Sequence, residues 1–514
     1  MRLSQLIARN AHTNPSGPAT RLGGRQHSWS ELVERVACLG AALKALGVVE
    51  GDRVAMLSFN SDRYFQYFFA CAWIGAVFVP VNTRLAAPEV SYWLNDSESS
   101  VLFVDDNLLA MAQQLKGELP NVRTVIYCGD GAAPAGLIPY ERLIGSAEAI
   151  APEDRGGEQL AGLFYTGGTT GRSKGVMLSH RNLIANAEHC LHYYHFDSDT
   201  VYLHTAPMFH LANGTCMFPI AAVGGSSVFV PTFDAQAVML AIEKYSVSSI
   251  FLVPTMISML LDHPQFDKYD LSSLRVLLYG ASPMPEQLIR LCIEKLPQTA
   301  LLQLYGQTEA APNLTQLAPE RHVMHGPKAG KIKSAGQAMI GCEVRIFDGN
   351  DNEVPRGVIG QVVARGDNVM IAYWKQPEMT ADVLRGGWLH TGDGGYMDDD
   401  DFVFVVDRVK DMIISGGENI YSIEVENAIY SCTSVAQCAV IGVPDDKWGE
   451  KVHAIVQLKT DHEISADALI EHCKGLIASY KCPRSIEFTE EALPISGAGK
   501  ILKSELRQRH SKSQ

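Results

Sequence analysis

One stretch constrains this chain more than any other: Tyr165-Thr166-Gly167-Gly168-Thr169-Thr170-Gly171-Arg172-Ser173-Lys174-Gly175. It sits between the apolar run Leu160 to Phe164 and the mostly apolar Val176 to His180. That pattern predicts a loop between two buried strands. Its glycines permit tight turns and bring backbone N–H groups close to an anion. Three threonines and a serine add hydroxyl donors, and Arg172 and Lys174 add positive charge. Such a loop suits a polyphosphate. It is not G-x-x-x-x-G-K-[ST], because Arg172 and Ser173 separate Gly171 from Lys174, and it is not G-x-G-x-x-G. A plain surface loop has no need of so many oriented donors between apolar strands.

At 514 residues the chain exceeds one compact core, so at least two domains are expected. A net charge of −14, with no block of Lys and Arg, argues against a nucleic-acid protein. Eleven cysteines are scattered without a C-x-x-C pair, and no His cluster stands at metal-ligand spacing, which fits a reduced, cytoplasmic setting. Met1 to Asn10 lacks the apolar core of a signal peptide. Tyr64 to Val81 is almost wholly apolar, but Gln66, Gly75 and Pro80 interrupt it. A helix of about 12 residues followed by a buried strand is expected there, since a membrane span needs about 20 apolar residues.

Along the chain, Ser28 with Glu31 predicts a capping box that opens a helix running to about Leu46, with Gly47 as its stop. Short strands alternate with helical patterns on both sides of the glycine-rich loop, which predicts parallel α/β architecture. In open α/β sheets ligands bind at the carboxyl ends of strands. Polar clusters fall there: Pro207 to His210, Gly280-Ala281-Ser282, and Tyr305-Gly306-Gln307-Thr308-Glu309. From about residue 340 the runs become shorter and β-rich, predicting a β subdomain. Asp398 to Asp401 reads as a hairpin turn with solvated carboxylates. After the charged Asp407-Arg408-Val409-Lys410-Asp411 come about 100 residues of α+β pattern, enough for a small domain, including a helix expected over Ala466 to Tyr480.

The glycine-rich stretch resembles the signature loop of the adenylate-forming, AMP-forming acyl-CoA synthetases. Four more segments carry the same resemblance in order: Tyr305 to Glu309 is similar to the family's Y-G-x-T-E motif, and Thr391-Gly392-Asp393 to its T-G-D motif. Asp407 to Asp411 with Ser415 to Asn419 resembles its hinge and following loop. Pro494 to Ile501 resembles its C-terminal lysine motif. The resemblance implies a large N-terminal domain of parallel α/β sheets plus a β subdomain (1–406), a hinge (407–411) and a small mobile C-terminal α+β lid (412–514).

What it implies chemically is activation of a carboxylic acid by ATP, with Mg²⁺, followed by transfer to coenzyme A. Lys500 would reach the carboxylate and α-phosphate, with Gly497 and Gly499 letting its loop bend. Glu309, with Thr166, would hold Mg²⁺, and Thr308 would bond the α-phosphate. Residues Thr166 to Lys174 would cradle the β- and γ-phosphates. Tyr305 would stack on adenine, Asp393 and Arg408 would take the ribose, and Gly280, Ala281, Ser282 and Gly306 would line the nucleotide. Lys410 matches the hinge position. Ser415, Gly416, Gly417 and Trp448 would line the coenzyme A tunnel, with Arg84, Lys481 and Arg484 as candidates for its phosphates. His210 would stand at the mouth of the acyl site, beside Asn213, Leu278, Gly280, Gln303, Gly306, Ala310 and Ala311; a core histidine is an equal reading for His210. Gly167 and Ser173 replace the family's usual Ser and Pro, and Ser422 replaces a usual Pro, so tuned kinetics are expected.

The substrate expected is a medium- or long-chain fatty acid, with an aromatic or phenylpropanoid acid as the alternative. No basic residue in the pocket set pairs a second carboxylate, which disfavours dicarboxylates. A long-chain acid would go with peripheral membrane association. Two rival readings stay open: an adenylation enzyme loading a carrier protein, although no carrier domain follows up to Gln514, and a non-catalytic acyl or nucleotide sensor. The residues set no oligomeric state, and a homodimer stays open.

Overall fold

The computed structural model describes residues 1–166, 173–408, 412–415, 418–445, 448–496 and 501–511. Its α/β fold comprises a large N-terminal part built on sheets and a smaller C-terminal part. A nine-stranded sheet runs from Gln337–Ala338 at one edge, through Ala300–Gly306, Val276–Gly280, Ser249–Leu252 and Val201–His204, to Arg25–Ser28 at the other. Its central pairs are parallel. An eight-stranded sheet holds Lys174–Ser179, Leu160–Thr166, Val77–Pro80 and Arg53–Leu57 among its members.

The helix Asp62–Ile74 is buried along its whole length. The apolar stretch met in the sequence is therefore an interior helix that joins the two sheets. Phe65 meets Phe229 of the nine-stranded sheet with ring centroids 6.2 Å apart, and Phe68 meets Phe78 of the eight-stranded sheet at 4.9 Å. A helix buried on every side keeps no solvent face, so layering between sheets suits it, and its charged members are paired, Asp62 with Arg25 and Arg63 with Asp130. Ser61 caps its start and Gly75, at φ 71°, ends it. No helix among the described residues is long and apolar enough to cross a membrane.

The capping box at Ser28 and Glu31 forms, and its helix spans Trp29–Ala45. A four-stranded antiparallel sheet carries Cys342–Phe347, Gly360–Gly366, Leu389–Met397 and Val403–Arg408. The acidic run 398–401 is the turn between the last two: Asp398 Oδ1 accepts from the amides of Asp400 and Phe402. Lys331 pairs with both Asp398 and Asp400.

The C-terminal sheet is five-stranded and is covered by Ser422–Tyr430, Ala466–Lys474 and Lys503–Ser511. The helix expected over Ala466 to Tyr480 stops at Lys474. Beyond Gly475 the chain turns away, leaving Leu476 and Tyr480 exposed and nothing apolar to hold another helical turn.

Candidate active site

Leu160–Thr166 and Lys174–Ser179 form an antiparallel pair in which Thr166 faces Lys174. The loop they carry, Gly167, Gly168, Thr169, Thr170, Gly171 and Arg172, lies outside the described residues, and so do Lys410, Gly416, Gly417 and Lys500. The strand end before the loop is fixed from below. The Tyr165 hydroxyl donates to Asp96 Oδ2 at 2.6 Å, and its ring stacks on Trp93 at 4.9 Å. Burial, reinforced by Asp96, pushes the Tyr165 phenol far above its usual range and keeps it a donor. Ser173 accepts from the Tyr92 hydroxyl at 3.1 Å through its carbonyl.

Three polar groups meet across the hairpin. Lys174 Nζ donates to the Tyr373 hydroxyl at 2.7 Å, and that hydroxyl donates to Glu309 Oε1 at 2.7 Å. Lys174 Nζ lies 3.7 Å from the same Glu309 oxygen. Glu309 rides on the turn Thr308–Ala310, directly after the carboxyl end of Ala300–Gly306. The backbone fixes this partner segment as well: Met370 N–H donates to the Glu309 carbonyl at 2.8 Å, and Tyr373 pairs with Val176. Motif reading passes over Tyr373, because one tyrosine in a two-residue edge strand carries no local signal. Only its neighbours in space mark it.

Magnesium takes oxygen ligands, with one or two carboxylates and substrate phosphates. The residues present fit that demand. Glu309 is a buried carboxylate, and Thr166 Oγ1 is a buried hydroxyl oxygen with no hydrogen-bond partner among the described residues. A buried polar atom is ordinarily satisfied, so an unsatisfied oxygen near Glu309 is chemically suited to a cation.

Tyr305 and Asp393 come together at the end of the nine-stranded sheet, where the tyrosine hydroxyl donates to Asp393 Oδ2 at 2.7 Å. Asp393 pairs in register with Arg408 across Leu389–Met397 and Val403–Arg408. At the neighbouring strand end, Gly280 admits no side chain, since a Cβ would stand 2.2 Å from the Leu304 carbonyl oxygen. Ala281 follows at φ 65°, turning the backbone outward before Ser282. Gly306 is closed in the same way, by the Pro312 carbonyl oxygen at 2.0 Å. Thr308 is buried beside Glu309.

The residues expected around the acyl group divide. His210 caps the helix Leu211–Val223, its Nδ1 accepting from the Ala212 amide at 3.0 Å. Asn213 is spent internally: its amide donates to the Ala206 carbonyl at 2.8 Å, and its Oδ1 lies 2.5 Å from His204 Nδ1. Leu278 is fully buried in the core of the nine-stranded sheet. Gln303 Oε1 lies 3.4 Å from the Tyr279 hydroxyl, while Ala310 and Ala311 are buried next to Glu309 in the chain.

The groups expected around coenzyme A also divide. Ser415 pairs with Gly449, next to Trp448, whose ring lies under the Arg484 guanidinium at 4.5 Å. Lys481 pairs with Glu424, its ammonium 2.7 Å from that carboxylate. Arg84 belongs to the N-terminal part and donates to the Ser496 carbonyl at 3.1 Å, beside the lysine motif.

The chain matches the AMP-binding enzyme model over residues 7–374 and the AMP-binding enzyme C-terminal domain over 424–500. It is 42% identical to a feruloyl-CoA synthase of Amycolatopsis sp, over 98% of this chain and 97% of that one. Identity to the long-chain-fatty-acid–CoA ligase FadD13 of Mycobacterium tuberculosis is 36%, over 91% and 90% of the two chains. The crystal structure of the anthranilate CoA ligase AuaEII, in complex with anthranoyl-AMP, superposes with a TM-score of 0.92 at 26% identity, covering 99% of this chain and 97% of that one.

Proposed function

The chain belongs to the AMP-binding enzyme family and is an AMP-forming acyl-CoA ligase, and from that premise we propose that its acid is aromatic, of about the size of a hydroxycinnamate. The observation that carries this reading is the 42% identity to a feruloyl-CoA synthase across nearly the whole of both chains. The anthranilate ligase adds a second aromatic-acid enzyme of the same shape.

The reaction joins two anions, a carboxylate and the α-phosphate, before the thiol attacks. Their repulsion must be offset by cations and fixed donors. Lys174, held between Tyr373 and Glu309, would grip the departing pyrophosphate. Glu309 and Thr166 would hold Mg²⁺, which supplies charge neutralisation when bound. Asp393 and Arg408 would orient the ribose, and Lys500 would meet the carboxylate and α-phosphate. Ser415 and Trp448 would border the thiol arm of coenzyme A after the C-terminal domain turns.

The sequence alone puts a medium- or long-chain fatty acid first. A second reading keeps that class, on the 36% identity to a long-chain-fatty-acid–CoA ligase. A panel of hydroxycinnamates, indole and benzoic acids and fatty acids, assayed for AMP release with coenzyme A, decides between them. Hydroxycinnamates should give the highest kcat/KM. Fatty acids about ten-fold better, a margin one to two methylenes of pocket fit can supply, would overturn the aromatic reading.

A further inference from the structure

A cluster of ligand atoms that the adenylation motifs do not include lies on the C-terminal sheet. Gly449–Leu458 and Ser485–Phe488 run parallel, with His453 beside Ser485 and Ile455 beside Glu487. Side chains alternate along a strand, so these four share one face. The helix Lys503–Ser511 covers that face, with Leu506 packing in the same cluster as Ile455. His510 follows Leu506 by four residues and so returns to the same side of the helix.

His453, Glu487 and His510 consequently converge, their ligand atoms all within 4.8 Å of one another. Glu487 Oε2 is 3.4 Å from His510 Nε2 and 3.9 Å from His453 Nε2. His453 is only 8% exposed, and its Nδ1 lies 2.8 Å from Ser485 Oγ. That bond orients the ring and leaves Nε2 pointing into the cluster, where it is buried and makes no hydrogen bond. An imidazole held through one nitrogen with the other directed at a carboxylate and a second imidazole is the arrangement that metal ligands show.

We propose that His453, Glu487 and His510 form a binding site for a zinc-class divalent cation. Two nitrogens and one carboxylate oxygen suit such an ion, with a water in the fourth position. Donors at about 2.0–2.1 Å from a tetrahedral ion lie roughly 3.3 Å apart. The 3.4 Å separation already meets that, and the 3.9 Å one closes with a few tenths of an ångström of movement at the exposed Glu487. Magnesium and calcium prefer oxygen alone, so this site and the nucleotide's ion select different metals. The bound ion clips the last helix to two strands. That helix begins at Lys503, just after the residue Ile501 that bridges to Ile495.

The test uses the full chain without an affinity tag, stripped with a chelator and titrated with CoCl₂ in buffer containing Mg²⁺. We expect one equivalent of Co²⁺ with visible absorption bands, displaced by ZnSO₄, and a rise in melting temperature with either ion. His510→Ala and Glu487→Gln should each weaken Co²⁺ binding about ten-fold or more and abolish the melting shift, with an unchanged circular dichroism spectrum. His510 and Glu487 are partly exposed, so neither change threatens folding. Absence of Co²⁺ binding below millimolar concentration would overturn the proposal, as would undiminished binding in either variant.

Discussion

Tyr373 donates its hydroxyl proton to Glu309 Oε1 across 2.7 Å, although 64 residues separate them in the chain. The Tyr373 hydroxyl oxygen in turn accepts from Lys174 Nζ, so one hydroxyl aligns a carboxylate and an ammonium drawn from different elements. Tyr373→Phe keeps the ring, which is almost fully buried, and deletes only that link. A hydrogen bond to a charged group is worth about 1.5–3 kcal/mol. Pyrophosphate exchange should therefore fall roughly 10- to 100-fold. An unchanged exchange rate would mean the tyrosine only fills space.

Lys174 separates the two half-reactions. If it grips the leaving pyrophosphate, Lys174→Ala slows adenylation by about 10²-fold or more and barely changes thioester formation from preformed acyl-adenylate. Single-turnover assays of each step distinguish this from a general loss. Equal losses in both would assign the lysine a wider role.

Lys500 tests the enzyme against the sensor reading. Lys500→Ala should fold and bind ATP while acyl-adenylate formation drops by about 10²–10³-fold. Retention of adenylate formation at the wild-type rate would remove Lys500 from the chemistry.

Acid stability follows from three buried imidazoles. Burial holds His180, His204 and His322 down to about 4. His204 lies between Asn213 and Ser227, and His322 between Tyr279 and the Ala318 carbonyl. Above pH 6.5 neither the folded nor the unfolded chain protonates them, so they add no slope. Between 6.5 and about 4 the unfolded chain binds the protons and the folded chain does not, so stability falls as pH falls. Each can cost up to about 3 kcal/mol across that window. Denaturant midpoints measured from pH 7.5 to 5 should decline over this range, and a flat profile would contradict the assignment.

Ser422 occupies a place where the resembling family usually has proline, and here its amide has work that proline cannot do. Its N–H donates to Asp407 Oδ2 at 2.6 Å, and its hydroxyl accepts from Lys503, which also pairs with the buried Glu426 at 2.7 Å. Because Ser422 opens its helix, proline would fit the backbone there. Ser422→Pro should nonetheless cost about 1–3 kcal/mol by leaving Asp407 short of a donor. Thermal denaturation reads this directly; a melting temperature at or above wild type would show that the bond contributes nothing net.

The sequence by itself determined the architecture and the class of chemistry. Alternating apolar runs, the Ser28–Glu31 capping box and Gly75 act within a few residues, and local sterics and hydrogen bonding set their outcome. Leu160–Thr166 and Lys174–Ser179 follow from the same local rule, since apolar runs flanking a glycine-rich stretch pair as strands whatever the loop between them holds. The end of the Ala466–Lys474 helix was not legible, because the residues after Gly475 could sustain a helix only if something packed on them. What the tertiary structure alone decided are the pairings across distance. Tyr373 reaches Glu309, Tyr305 reaches Asp393, Asn213 bonds His204, and Lys481 pairs with Glu424. Each depends on which strand ends the sheets bring side by side. No local pattern encodes that, because the energy of a buried hydrogen bond belongs to two residues that the sequence keeps far apart.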